Sequence, residues 1–174
     1  LENAFYKISF DAQGNITSLF DKTHGREVVK PGGKFNELQV FEDFPKCYDA
    51  WEITEYYKQK MTPVTELISA EVVDEGARAG LRLTKRFLSS TITQTVYLYE
   101  DMRNMDFDTV IDWKEEHMLL KAMFPMDIHA NEASYEIQFG YLKRPTHSNT
   151  SWDRARFEVC AHKWADLSED DYGV

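Results

Sequence analysis

Two stretches concentrate the side chains able to do chemistry. The longer is Lys143-Arg144-Pro145-Thr146-His147-Ser148-Asn149, with Trp152-Asp153 just beyond. It sets a guanidinium, an amide, an indole and a carboxylate close together. Such groups suit a polyhydroxylated ligand: Arg offers a rigid fork of donors, Asn and Asp offer acceptors, and an aromatic face covers C–H surface. Arg144, Asn149, Trp152 and Asp153 are the first candidate contacts. The competing reading is structural, with Arg144 paired to Asp153 and Trp152 packed on a sheet edge. The second stretch, Tyr48-Asp49-Ala50-Trp51, puts a phenol and a carboxylate in a loop. There Tyr48 and Asp49 are candidates to bond hydroxyls, against the alternative that Tyr48 and Trp51 plug the end of a β-sandwich.

Other chemistries find little support. His129 and His162 lack a second ligand at metal spacing and read as structural histidines. Glu115-Glu116 and Ser168-Glu169-Asp170-Asp171 are adjacent acids without EF-hand spacing, so they read as solvated turns. No Gly-rich phosphate loop, nucleophile elbow or HExxH run is present. Cys47 and Cys160 stand far apart and read as a reduced pair. No catalytic pair and no metal site is assigned to these residues.

The elements that must position these groups are strands. Tyr6, Ile8 and Phe10 alternate with polar residues, and Gly14 can take the positive φ of a tight turn before Ile16 starts the return strand. Leu38, Val40 and Phe41 form a strand that runs into the charged loop 42–49, while the pattern of 51–57 is ambiguous and compatible with an extended segment. Ile68, Ala70 and Val72 precede a turn at Asp74-Glu75-Gly76, and Leu81, Leu83 and Phe87 follow it. Ile92, Val96 and Leu98 lie opposite a row of Thr91, Thr93, Thr95, Tyr97 and Tyr99 that suits a half-solvated face. Met105, Phe107, Ile111 and Trp113 alternate with Asp106, Asp108 and Asp112, which mark a water side. Leu120, Ala122 and Phe124 follow, then Tyr135, Ile137 and Phe139, and a last strand-like run at 156–164.

Short alternating strands with turn signals between them predict an all-β, antiparallel sandwich. At 174 residues and 43% hydrophobic content, one domain with a real core is expected. A formal charge of -10 argues against nucleic acid and against an anionic membrane as partner. No apolar run is long enough to span a bilayer, and the first residues have no signal-peptide pattern. Asn15-Ile16-Thr17 and Asn149-Thr150-Ser151 match the glycosylation pattern and read as chance. The acidic turn at 166–171 leads into Tyr172-Gly173-Val174, which resembles a strand cut short, so the chain looks like a piece of something longer.

Three segments, in order, carry a family resemblance: Asn15-Ile16-Thr17-Ser18-Leu19-Phe20-Asp21-Lys22; Phe41-Glu42-Asp43-Phe44-Pro45 with Tyr48-Asp49-Ala50-Trp51; and Asn149-Thr150-Ser151-Trp152-Asp153 with residues 155–164. They resemble the C-terminal region of glycoside hydrolase family 38 α-mannosidases, most of all the cytosolic and bacterial branch. The resemblance implies part of a galactose-mutarotase-like supersandwich, with the catalytic domain upstream and further strands downstream. It implies a retaining enzyme acting on α-mannosides and oligosaccharides, in which two carboxyl groups about 5–5.5 Å apart do the chemistry. It also implies zinc in the parent enzyme, held by that catalytic domain, and a cytoplasmic location. On this view the chain alone is inactive. It packs on the catalytic domain of the same polypeptide through an apolar face, which would let the isolated piece self-associate as a homo-oligomer, and it lends loops to the sugar pocket. Arg144 is the nearest match to a basic residue near the sugar, with Lys143 as competitor. Arg154 departs from the aromatic residue common before the Ala matching Ala155. The alternative function is a carbohydrate-binding or purely structural β-sandwich.

Overall fold

The computed structural model describes residues 1–49 and 51–174, leaving Ala50 of the Tyr48-to-Trp51 stretch outside the described residues. The expected antiparallel all-β architecture is what the chain forms. It divides into two compact units, Leu1–Met126 and Asp127–Val174, each described by itself.

The first unit opens with the expected hairpin: β1 (Tyr6–Phe10) pairs antiparallel with β2 (Ile16–Asp21), and β3 (Arg26–Glu27) adds a short third strand. Gly14 sits at φ 74° in the turn, where a side chain would also collide with Leu83. β4 (Glu37–Glu42) lies between β10 (Met118–Met123) and β5 (Met61–Pro63) in a three-stranded sheet. β6 (Glu66–Asp74), β7 (Arg78–Phe87), β8 (Ser90–Tyr99) and β9 (Met105–Asp112) form a four-stranded meander. Leu38, Val40 and Val64 pack against Ile92 of the meander in the central core, flanked by Phe87, Trp113, Met118 and Leu120. Full burial of such aliphatic side chains stabilises by about 1.5–3 kcal/mol each.

In the second unit β11 (Glu132–Ile137) pairs with β12 (Gly140–Pro145) on one side and with the two-residue β13 (Ala165–Asp166) on the other. The last residues do extend, since Leu167 and Val174 exchange backbone hydrogen bonds. No helix among the described residues is long and apolar enough to cross a membrane.

Several expectations need correction. Residues 156–164 are not a strand: a five-residue helix, α1 (Ser151–Ala155), precedes them, and only Ala165 and Asp166 pair in the sheet. Residues 55–59, within the ambiguous stretch and just beyond it, form a 3-10 turn that buries Tyr57. Phe139 does not continue β11 but stands at the hairpin tip, because Ile137 pairs directly with Gly140. The threonine–tyrosine row of β8 is not uniformly half-solvated, since Thr95 and Tyr97 are buried. The Arg78 guanidinium lies 3.9 Å over the Tyr97 ring and the Tyr97 hydroxyl donates to Glu75, so long side chains of neighbouring residues roof that face. Asp108 and Asp112 are exposed as expected, while Asp106 is half-buried beneath the Tyr99 hydroxyl and the Asn104 amide.

Candidate functional site

The loop after β4 is positioned by its strand pairing. Glu42 of β4 lies opposite Met118 of β10, so the segments just past both ends meet. The Asp43 amide donates to the His117 carbonyl at 2.8 Å, and the Phe44 and His117 rings stack at 4.8 Å. Between them opens a cleft of about 420 Å³ lined by Asp43, Pro45, Asp49, Glu116, His117 and Met118. Asp43 Oδ1 is buried with no hydrogen-bond partner among the described residues, leaving an acceptor that a hydroxyl would satisfy. Asp49 thus reaches a cleft the sequence had only hinted at. Glu116, dismissed as part of a solvated turn, and His117, not singled out, share it.

Tyr48 takes φ 59° and its carbonyl accepts from the amides of Trp51 and Glu52. This tight turn stacks the Tyr48 and Trp51 rings at 6.1 Å with 23° between planes. The pair does not plug the unit: Tyr48 is 70% and Trp51 87% exposed. Both rings offer open faces.

The second candidate loop belongs to the other unit. Alternation along β12 sends Lys143 and Arg144 to opposite faces, opposite Ser134 and Ala133 respectively. Lys143 lies 3.7 Å from Glu132, whereas half-buried Arg144 has no ion-pair or hydrogen-bond partner among the described residues. The supposed Arg144–Asp153 pair does not form. Asp153 instead completes a capping box for α1: its amide donates to the Thr150 hydroxyl, while its carboxylate accepts from the Thr150 amide at 3.0 Å and hydroxyl at 2.8 Å. These bonds hold the Asp153 carboxyl below its ordinary range, with His147 and Arg156 adding attraction. The Thr-x-x-Asp spacing signalled this cap in the sequence. Asn149 and Trp152 are exposed, Trp152 at 74%.

The cap makes a direct prediction. Thr150→Ala should cost about 1 kcal/mol in urea unfolding at neutral pH. Because the folded carboxyl titrates below its unfolded value, the wild-type advantage is present above about pH 3.9 and is lost as pH falls through the folded value. A variant as stable as wild type at neutral pH would show that the box contributes nothing.

An open groove of about 550 Å³ in the same unit is lined by residues including His129, Glu132, Lys143, Glu169, Asp170 and Asp171. Among the described residues, no three His, Cys, Asp or Glu side chains converge as a metal would require. The described residues therefore offer no fit for the zinc that the resemblance implies. Cys47 and Cys160 are both free and exposed.

At the level of class, this is an antiparallel β protein of two units, one carrying the exposed Tyr48–Trp51 stack and the cleft with the unpartnered Asp43 oxygen, the other carrying Arg144 without a side-chain partner among the described residues. The chain belongs to glycoside hydrolase family 38: residues 1–174 match the glycosyl hydrolases family 38 C-terminal domain. Over its whole length it is 40% identical to human alpha-mannosidase 2C1 and 38% identical to alpha-mannosidase G of Dictyostelium discoideum. In both cases it spans 17% of the relative. An α-mannosidase from Enterococcus faecalis shares the fold, with a TM-score of 0.78 over 99% of this chain and 22% of that one, at 13% identity.

Proposed function

We propose that this chain is the β-sandwich portion of a retaining α-mannosidase that removes terminal α-linked mannose from mannosides and glycans in the cytoplasm. It packs on the catalytic domain of the same polypeptide and lends its two polar-aromatic loops to the sugar pocket. The observation that carries this reading is the match of the whole chain to the family 38 C-terminal domain, with α-mannosidases as its relatives. The catalytic carboxylates and the zinc belong to the remainder of the parent enzyme. This chain's own contribution is to bind and orient: in the first unit the Tyr48 and Trp51 rings cover sugar C–H surface while Asp43 and Asp49 accept from hydroxyls, and separately, in the second unit, Arg144 offers its unpaired fork as a donor.

The test is zinc-supplemented hydrolysis of an aryl α-mannoside by the chain alone, by the chain joined to its upstream domain, and by the joined form carrying Arg144→Ala. The chain alone should be inert and the joined form active. Loss of a charge-assisted hydrogen bond should lower kcat/KM of the variant about tenfold or more. Activity of the isolated chain would overturn the supporting role and place a carboxylate pair within these residues. A joined form without mannosidase activity would leave the alternative, a carbohydrate-binding or structural module.

A further inference from the structure

The hairpin between β11 and β12 turns through only two residues, Gln138 and Phe139, because Ile137 pairs with Gly140. The left-handed backbone conformation falls on Phe139, at φ 65°. Bulky side chains avoid this region, which glycine enters freely. Gly140 stands next in sequence, with open space where a Cβ would lie, yet the positive φ is not placed there. The Phe139 ring is also fully exposed, at 109% of its reference surface, and no described residue packs on it. Strain of this kind persists where surroundings over-determine it. Here the two-residue turn itself imposes the positive φ, so it is the bare ring, not the backbone, that calls for a partner. The apolar surface continues beside the tip through Tyr141 and Trp164, which are 57% and 44% exposed with their rings 6.2 Å apart. Clustered, exposed aromatics mark sites that bury against a partner.

We propose that Phe139 is a docking knob that inserts into an apolar pocket on the remainder of the family 38 polypeptide, with Tyr141 and Trp164 as its rim. This rests on the reading that the chain is part of a longer mannosidase. Two observations favour that occupant over a second copy. The chain matches only 17% of its human relative, so most of such a protein is available to cover the tip. A formal charge of -10 opposes the approach of like copies.

The variant Phe139→Asn in the full-length protein separates strain from docking by sign. Asparagine accepts the left-handed conformation but supplies no apolar ring. If Phe139 is only a strained surface residue, the substitution relieves strain and Tm rises or stays. If it is docked, Tm falls, by about 2 °C or more. In wild type, a docked ring also shields the bond after Phe139 from chymotrypsin, so the intact protein should resist cleavage there. A Tm that is unchanged or raised, or ready cleavage after Phe139, overturns the proposal. A wild-type dimer that Phe139→Asn converts to monomer also overturns it, in favour of a second copy. Aryl α-mannoside hydrolysis by the same samples tests the parent reading separately. An inactive wild type with a lowered variant Tm would sink the mannosidase assignment and keep the docking knob.

Discussion

Gly80→Ala is expected to destabilise the chain by about 3 kcal/mol in urea unfolding, an effect at the upper end for adding a single methyl group. Gly80 lies on β7 opposite Tyr97 of β8, on the outer face of the meander. A Cβ there would stand 2.6 Å from the Val96 carbonyl oxygen and 2.8 Å from the Tyr97 ring. Neither neighbour can give way. The Val96 oxygen belongs to the backbone of a central strand. The Tyr97 ring is closed in from above by the Arg78 guanidinium, and its hydroxyl is bonded to Glu75, which also grips Arg78 at 2.8 Å. Moving the ring therefore breaks a stack and a hydrogen bond together. The entropic gain from replacing a glycine, about 0.4–1 kcal/mol, offsets only part of this. Gly140→Ala is the control, because no atom lies within 4 Å of its added Cβ and its φ is not positive. It should be neutral or slightly stabilising. A Gly80→Ala midpoint equal to that of Gly140→Ala would show that Tyr97 and Arg78 do not hold the face rigid.

That same face shows where sequence reading stops. Period-two alternation located β1, β2, β4, β7 and β8, which all bury side chains in a core. On β6 and β9 it found the strand but not the core face: Ile68, Ala70 and Val72 are exposed, as is Ile111. It could not tell that Tyr97 is buried, since burial there comes from Arg78 and Glu75 reaching across the outer face. Charged residues score as solvent side whether they point away or fold over a neighbour. The candidate site divides similarly. Tyr48 and Asp49 were picked out by residue type, and the structure puts Asp49 in a cleft and Tyr48 on an open stack. Glu116 and His117 were missed as cleft residues, because their adjacency to Asp43 is made by the β4–β10 pairing and not by local spacing. Asp153 was legible in a different role: the Thr-x-x-Asp capping signal was present, but the polar cluster around it drew attention to ligands.

Asn15→Ala should cost about 3–5 kcal/mol at neutral pH, more than a surface hydrogen bond would suggest. Lys85 is carried into the interior by β7 and is 3% exposed, and its ammonium donates to Asn15 Oδ1 at 3.0 Å. Burial pushes the Lys85 pKa below its ordinary value, while Asp11 and Glu37 pull against that shift from a distance. Asn15 is itself buried and anchored, its amide donating to Asp11 at 3.1 Å. Truncating it strands a buried charge, and that stranded charge carries the cost. The pH dependence follows in sign. A lysine whose folded pKa is lowered bears its full desolvation penalty below that pKa. The penalty fades as pH rises through it towards the unfolded value near 10.4. The Asn15→Ala deficit should therefore narrow between neutral pH and about pH 10. Adding Lys85→Met should recover much of it at neutral pH, because the double variant buries no charge. A deficit independent of pH and untouched by Lys85→Met would mean that Asn15 acts through the turn it shares with Asp11. The ammonium would then be tolerated by other means.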